Sequence, residues 1–337
     1  MRLGQRNDSH HTLNEILEEN DKIPSRDLAI GIMFLSQTVI GILGNFSLLY
    51  RYFFLHQMES KMRPIYLILR HLFIANSLTI LSKGLPQTMV AFGLKHLFND
   101  FCCKLNLYVL RVGRAMSVST MCLLSFFQYI TLSPMNSCWK NLKIKAAKYI
   151  DFSMSLCWLL HIGINSIFPL YVLHISKNPE SRNNTSIRYM EICSILDYGT
   201  NMGPVYIALV VSPEVSFIVI TIWACGSMIL LLYRHKMQVK HIHSSNVSSR
   251  SPESRATKSI LFLVSTFVLF YIISSIFYIF VALFYNLSWW LKNISGIISV
   301  CFPVISPFLI MKQNSSISMF WFVWIRNTKF PFLMKNT

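Results

Sequence analysis

Residues 204–233 read PVYIALVVSPEVSFIVITIWACGSMILLLY, and the basic stretch RHKMQVK follows at once as residues 234–240. The first stretch is apolar apart from one charge, Glu214, and it exceeds the roughly 20 residues that an α-helix needs to cross a hydrocarbon core. The second stretch is basic, and basic residues concentrate on the cytoplasmic side of membrane helices. This junction therefore predicts a membrane-spanning helix that ends inside the cell.

The same pattern recurs along the whole chain. Hydrophobic residues make up 53% of the sequence and charged residues only 13%, so a polytopic membrane protein is favoured over two soluble domains. We predict an all-α fold, a seven-transmembrane helix bundle. The predicted spans are 28–54, 64–92, 103–131, 148–173, 204–233, 257–285 and 290–311. The Ser-rich, basic stretch 235–255 is expected to be a flexible loop.

The distribution of charge predicts the orientation of the bundle. The gaps after spans one, three and five and the C-terminal tail carry an excess of bases, whereas the N-terminus is rich in acids. Positive residues stay in the cytoplasm. We therefore expect an extracellular N-terminus over 1–27, a transmembrane domain over 28–311 and a cytoplasmic tail over 312–337. The formal charge of +17 then faces anionic lipid and inner-face partners, which argues against nucleic acid.

Cysteines and glycosylation sequons mark the predicted outer face. Cys102, Cys103 and Cys193 lie in a compartment where disulfides persist, so one bridge should join span three to the loop before span five. Such a bridge would hold the loop over the bundle. No spacing resembles a zinc site, and we predict neither a metal nor a cofactor. The sequons on this face are at Asn7, Asn183, Asn184 and Asn286.

Four charges inside the predicted spans are candidates for function, because intramembrane charge is costly. At 1.5 Å per residue, Arg111 and Arg114 lie roughly 12 and 16 Å below the outer end of span three, and Glu214 lies about 15 Å below that of span five. Acid and base therefore meet at one depth. Two interpretations remain open, a structural ion pair or the polar floor of a ligand pocket. Lys83 either points into the same cavity or extends towards the membrane surface.

Aromatic residues and prolines complete the candidate pocket. Tyr108, Phe277, Tyr278 and Phe280 can line its walls, although such aromatics more often serve packing. We take Tyr108 and Tyr278 as ligand-binding candidates beside the four charged residues. Prolines can kink helices and open cavities where neighbours satisfy the freed carbonyls, and those concerned are Pro169, Pro213, Pro303 and Pro307.

Catalytic signatures are weak in this sequence. His161, Asp151 and Ser155 do not have the spacing of a triad, and phosphate loops and metalloprotease motifs do not occur. We predict that the chain is not an enzyme.

Long motifs resemble the vomeronasal type-1 receptors, pheromone receptors of the seven-helix G-protein-coupled superfamily. The resemblance extends from about Gly31 to Met311. It is carried by LFIANSLTILSKGLPQTMVAFGLKHLFND, RVGRAMSVSTMCLLSFFQYITLSP, CFPVISPFLIM, and the stretch WACGSMILLLYRHKMQVKHIHSSNVSSRSPESRATKSILFLVSTFV.

The resemblance implies a disulfide, a glycosylated loop and a signalling partner. Cys103 matches the family cysteine of helix three, with Cys193 as its partner, and Cys102 is an extra thiol. A glycosylation site in the same outer loop fits Asn183 or Asn184. The family is expected in the plasma membrane of vomeronasal chemosensory neurons, coupled to heterotrimeric G proteins of the Gi/Go type.

The resemblance also places several side chains. Arg111 and Arg114 fall within the family motif RVGR, and Glu214 matches an acidic position after a proline. Tyr66 stands where the family often has an acid, and Arg70 where a small polar residue is common. Both departures lie near the cytoplasmic end and concern coupling rather than ligand choice.

These features predict a receptor for a small, apolar or anionic, pheromone-like molecule. Ligand binding would favour a conformation whose cytoplasmic face engages the G protein. The residues expected to face the G protein are Lys140, Lys143, Lys145, Arg234, Lys236, Lys240, Arg255 and Lys258. A channel or transporter is a weaker alternative, because inverted repeats are missing and each helix has few polar residues. A bitter-taste-type receptor is disfavoured by the motifs of helices two and five.

Overall fold

A computed structural model describes residues 25–58, 64–94, 100–133, 145, 149–166, 187–190, 193–196, 212–242, 252–283 and 289–313. Within these ranges the chain forms seven long helices and one short antiparallel hairpin. The helices are α1 Ser25–Met58, α2 Pro64–Ala91, α3 Asp100–Leu132, α4 at 149–166, α5 Ser212–Ile242, α6 Pro252–Leu283 and α7 Trp289–Gln313. The hairpin strands are β1 Ile187–Met190 and β2 Cys193–Leu196, and Met190 pairs with Cys193 at its turn.

The predicted all-α bundle is confirmed. Six of the helices are long and apolar enough to cross a membrane, and they are α1, α2, α3, α5, α6 and α7. In α4 the polar residues Asp151, His161 and Asn165 interrupt the apolar sequence. The predicted spans 148–173 and 204–233 extend into 167–173 and 204–211, which lie outside the described residues.

The connection between α5 and α6 corrects one sequence-based prediction. The Ser-rich, basic stretch 235–255 is predicted as a flexible loop, but α5 continues to Ile242 and α6 already begins at Pro252. Once a helix has formed, each further residue adds one hydrogen bond, and Lys, Gln and Met are good helix formers. Residues Lys236, Lys240, Arg255 and Lys258 therefore lie on helical extensions rather than in a loop.

Proline positions help to define where helices begin. Pro64 opens α2, Pro252 opens α6, and Pro213 is the second residue of α5. A proline in the first turn loses nothing, because the N–H groups there have no intrahelical partner. Pro86, Pro303 and Pro307 instead lie inside helices, where each removes one backbone hydrogen bond.

The centre of the bundle is formed by α2 and α3. Of their most apolar windows, 56% and 67% of the residues are buried, compared with 28% for both α5 and α6. The outer helices expose many large apolar side chains, including Leu43, Trp223 and Leu230. Such a surface is suited to lipid contact, since lipid tails are as apolar as leucine.

Buried amide and hydroxyl groups connect the central helices to α7. Asn76 Nδ2 on α2 donates to Ser306 Oγ on α7 at 2.9 Å, and Ser117 Oγ on α3 donates to Asn76 Oδ1 at 3.1 Å. All three side chains are buried. The fold thus joins α2, α3 and α7 through polar contacts as well as apolar packing.

The close approach of α2 and α3 depends on Gly113. A Cβ atom at this glycine would lie 2.9 Å from Thr79 Oγ1 and 3.1 Å from the Ala75 carbonyl oxygen. Since the carbonyl is part of the α2 backbone, it cannot rotate away. A small residue at this point lets the two backbones pack together.

Gly113→Ala is expected to destabilise the protein by about 1–3 kcal/mol, because overpacking a dense core forces the backbone to shift. The measurement is thermal unfolding of the purified protein in detergent. Gly226→Ala is the matched control, since nothing lies within 4 Å of a Cβ placed there. Equal unfolding midpoints for the two variants would contradict this account of helix packing.

Candidate functional site

A cavity lies where α2, α3, α6 and α7 meet. About 510 Å³ of empty space, open solvent included, lies within it. Its wall combines aliphatic and aromatic surface with hydroxyl groups and one cationic side chain, as ligand pockets in proteins commonly do. The wall residues are Thr79, Leu110, Arg114, Ser117, Val118, Phe267, Phe270, Tyr271, Ser274, Ile298, Ser299, Phe302 and Pro303.

Arg114 on α3 supplies the positive charge of the cavity wall. Its Nη2 donates to Ser275 Oγ on α6 at 3.3 Å, and its Cζ lies 4.9 Å from the ring centroid of Tyr271. A guanidinium over an aromatic ring is stabilised by about 0.5–2 kcal/mol. The cation is therefore held against α6 by both a hydroxyl group and a ring.

Tyr271 connects this cation to an acid. Its phenolic hydroxyl donates to Glu214 Oε2 on α5 at 2.7 Å, while its ring lies beneath Arg114. We call Arg114, Tyr271 and Glu214 the polar cluster. It links α3, α6 and α5, so the three helices carry their intramembrane polar groups at a common level.

The polar cluster has features of both interpretations that the sequence left open, a structural ion pair and the polar floor of a ligand pocket. Arg114 and Glu214 both contact Tyr271, and Arg114 is a residue of the cavity wall whereas Glu214 is not. Tyr271 could not be identified from the sequence, because one tyrosine within the aromatic run of helix six gives no distinguishing signal. The contribution of α7 was not predicted either, although a proline such as Pro303 can open a cavity.

Three other ligand-binding candidates lie away from the cavity wall. Tyr108 donates its hydroxyl to the Ile162 carbonyl on α4 at 3.1 Å. Lys83 on α2 runs beside α7, with its Cε 3.5 Å from the Cβ position of Gly296. Arg111 is partly buried, with its Nη1 atom inside the protein. The side chain of the remaining candidate, Tyr278, lies outside the described residues.

The outer end of α3 carries a disulfide. Cys103 is buried and disulfide-bonded, whereas the neighbouring Cys102 is exposed and is a free thiol. Strand β2, which begins at Cys193, packs against α3. The predicted sequons at Asn7, Asn183, Asn184 and Asn286 lie outside the described residues.

The cytoplasmic ends are described in part. Lys145 and Arg234 are exposed, as expected of residues that face a partner. Lys140 and Lys143 lie outside the described residues, as do the side chains of Lys236, Lys240, Arg255 and Lys258. At the start of α2, Tyr66 stacks on Tyr52 of α1 with ring centroids 5.0 Å apart.

A buried serine–histidine pair joins α3 to α4. Ser119 Oγ and His161 Nε2 are hydrogen-bonded, and Ser119 also donates to the Ala115 carbonyl at 3.0 Å. Both side chains are buried, so this hydrogen bond connects α3 and α4 inside the bundle. Among the described residues, no group of three His, Cys, Asp or Glu side chains could hold a metal ion.

Comparison with known proteins identifies relatives along nearly the whole chain. The profile of the vomeronasal organ pheromone receptor family matches residues 28–323. Vomeronasal type-1 receptor 2 of Homo sapiens is 48% identical over 84% of this chain and 71% of its own length. Vomeronasal type-1 receptor 3 of Homo sapiens is 46% identical over 92% of this chain and 99% of its own length.

Among solved structures, squid rhodopsin has the same fold. Its TM-score is 0.64 at 16% sequence identity, over 88% of this chain and 80% of the rhodopsin chain. The fold and the relatives are those of G-protein-coupled receptors, so the predictions of a multi-pass membrane protein and of a chain without enzymatic activity are confirmed.

Tyr271→Phe tests the polar cluster, because it removes only the hydroxyl and keeps the ring beneath Arg114. Loss of a hydrogen bond to a partly buried carboxylate should cost about 1–3 kcal/mol and lower the thermal unfolding midpoint. In a Glu214→Leu background, Tyr271→Phe should destabilise the protein less. The interaction free energy between the two substitutions in a double-mutant cycle should be about 0.6–2 kcal/mol. Tyr233→Phe, at a side chain that is 61% exposed, is the control. Additive effects of Tyr271→Phe and Glu214→Leu would show that the contact contributes nothing.

Proposed function

This chain belongs to the vomeronasal organ pheromone receptor family, and from this premise we propose that it is a chemosensory receptor for a small pheromone-like molecule. The ligand binds in the cavity at Arg114, and the cytoplasmic face activates a heterotrimeric G protein of the Gi/Go type. The supporting observation is a cation exposed to a largely apolar cavity between four helices. We expect the receptor in the plasma membrane of chemosensory neurons.

The wall chemistry favours an apolar ligand with an anionic or hydrogen-bond-accepting group. Aliphatic and aromatic side chains from α3, α6 and α7 cover most of the wall. Arg114 offers a planar fork of five N–H donors, a geometry that matches carboxylates, sulfates and phosphates. A group of this kind would approach Arg114 on the side of the guanidinium that lines the cavity.

The polar cluster provides a route from ligand binding to helix movement. An anionic group at Arg114 would compete with Ser275 and the Tyr271 ring for the guanidinium, and Tyr271 in turn is bonded to Glu214 on α5. Contacts between α3, α5 and α6 therefore depend on whether the cavity is occupied. A ligand that prefers one arrangement of these helices shifts the population towards it.

The helical extensions of α5 and α6 would carry that shift to the G protein. They bring Arg234, Lys236, Lys240, Arg255 and Lys258 beyond the apolar spans, on the side assigned to the cytoplasm by the positive-inside rule. Because these residues belong to helices that meet at the polar cluster, a change there repositions basic side chains at the inner face.

Cys103 and Cys193 form the disulfide of the outer face in this proposal. The buried, disulfide-bonded state of Cys103, the free thiol of Cys102 and the packing of β2 on α3 support this pairing over one that uses Cys102. The hairpin would then be held at the outer end of α3. Glycosylation at Asn183 or Asn184 remains a prediction for the same loop.

The direct test is ligand-dependent nucleotide exchange on a Gi/Go protein, in membranes from cells that express the tagged receptor. Pooled volatile and steroid cues serve as probes, and surface staining of the N-terminal tag in the same cells confirms expression and orientation. Arg114→Gln should reduce the potency of an active cue about tenfold or more, because a charge-assisted hydrogen bond is lost. Arg26→Gln is the matched control, at an exposed position near the start of α1. An undiminished response of Arg114→Gln at normal surface level would place the ligand elsewhere.

A further inference from the structure

We propose that the backbone carbonyl of Ser299, released by Pro303, is a hydrogen-bond acceptor in the cavity wall. It selects ligands that carry a hydroxyl or amine N–H group in addition to the group that meets Arg114. This inference rests on the proposed function, because it concerns the ligand of the same cavity. The ligand class is therefore a small hydroxylated or amino-bearing molecule with an anionic or accepting end.

The starting point is the backbone of helices that contain proline. In an α-helix each N–H donates to the carbonyl four residues earlier, and proline has no N–H to donate. Pro86 releases the carbonyl of Ser82, Pro303 that of Ser299, and Pro307 that of Pro303. Within a membrane, each of these carbonyls needs another partner or an aqueous cavity.

Two of the three released carbonyls are capped by asparagine side chains from neighbouring helices. Asn106 Nδ2 on α3 donates to the Ser82 carbonyl at 2.7 Å. Asn45 Nδ2 on α1 donates to the Pro303 carbonyl at 2.9 Å. The bundle thus supplies a dedicated donor where a proline interrupts α2 and where Pro307 interrupts α7.

The third released carbonyl belongs to a residue that lines the cavity. Both Ser299 and Pro303 line the wall, and no side chain among the described residues donates to the Ser299 carbonyl. The Ser299 hydroxyl is directed elsewhere, to the Gly296 carbonyl at 2.6 Å. Among these three carbonyls, the one without a side-chain donor from the described residues therefore belongs to a residue of the cavity wall.

The wall hydroxyls point to the same ligand chemistry. Each has one hydrogen, and each donates it to a protein acceptor: Thr79 to the Ala75 carbonyl, Ser117 to Asn76, Ser274 to the Tyr271 carbonyl and Tyr271 to Glu214. Their oxygens can then only accept. Arg114 is the side-chain donor of the described wall. The other polar groups of this wall are acceptors, so they can bind a donor group on the ligand.

The test uses acids that differ by one hydroxyl group: benzoate, phenylacetate and 3-phenylpropionate, each with its 4-hydroxy counterpart. Dissociation constants are measured by saturation-transfer NMR on the purified receptor in nanodiscs. In the wild type, at least one hydroxylated acid should bind roughly three- to tenfold more tightly than its counterpart, as expected for one hydrogen bond.

Pro303→Ala restores an N–H donor to the Ser299 carbonyl. The ratio of the dissociation constants of the unsubstituted and hydroxylated acids should therefore fall towards one. Pro303→Val, which restores the same N–H with a residue larger rather than smaller than proline, is a second variant and should give the same result. Pro307→Ala is the matched control in the same helix, because the carbonyl it affects is already capped by Asn45. That variant should keep the wild-type preference.

The remaining outcomes separate this inference from the proposed function. Binding of the acids that is lost in Arg114→Gln, but shows no preference for a hydroxyl group, would retain the cavity and overturn the acceptor role of Ser299. Loss of the preference in Pro307→Ala as well as in Pro303→Ala would also overturn it, because helix shape rather than the carbonyl would then be responsible. Failure of all six acids to bind would overturn both proposals.

Discussion

The need to satisfy polar groups inside an apolar environment determines much of this structure. Water cannot pair with backbone or side-chain polar atoms in the bilayer core, so each must find a partner within the protein or border a cavity. Asn45 and Asn106 fulfil this need at two proline-interrupted helices, and Asn76 joins three helices through Ser117 and Ser306. Arg114 and several hydroxyl groups border a cavity between α2, α3, α6 and α7.

The charged groups follow the same rule and give it a functional consequence. Arg114 is stabilised by the ring of Tyr271, whose hydroxyl is in turn bonded to Glu214. A single phenol thereby connects a cation that faces the cavity to an acid on α5. If the ligand binds at Arg114 as we propose, ligand recognition and helix contacts share this cation, and ligand binding would be coupled to receptor conformation through the same few atoms.

The sequence predicted the number and positions of the helices well, because long apolar runs have few structural alternatives in a membrane. It also placed Arg114 and Glu214 at one level from helix geometry alone. It could not identify Tyr271 or the Ser299–Pro303 wall, since these depend on how α6 and α7 rotate against α3, which apolar periodicity does not reveal. Tyr108 and Lys83 were candidates for the pocket from the sequence, and in the structure Tyr108 donates to the Ile162 carbonyl of α4 while Lys83 lies beside Gly296 of α7.

The central claim, that Arg114 makes this cavity attractive to anions, can be measured without knowledge of the ligand. A thiol is introduced by Ser274→Cys in a Cys102→Ser background, because Cys102 is an exposed free thiol that would also react. Its modification rates by sulfonatoethyl and trimethylammonioethyl methanethiosulfonate, applied from outside, are then compared. We expect the anionic reagent to react faster and Arg114→Gln to reduce the ratio of the two rates. An unreactive thiol, or a ratio that Arg114→Gln leaves unchanged, would contradict the account.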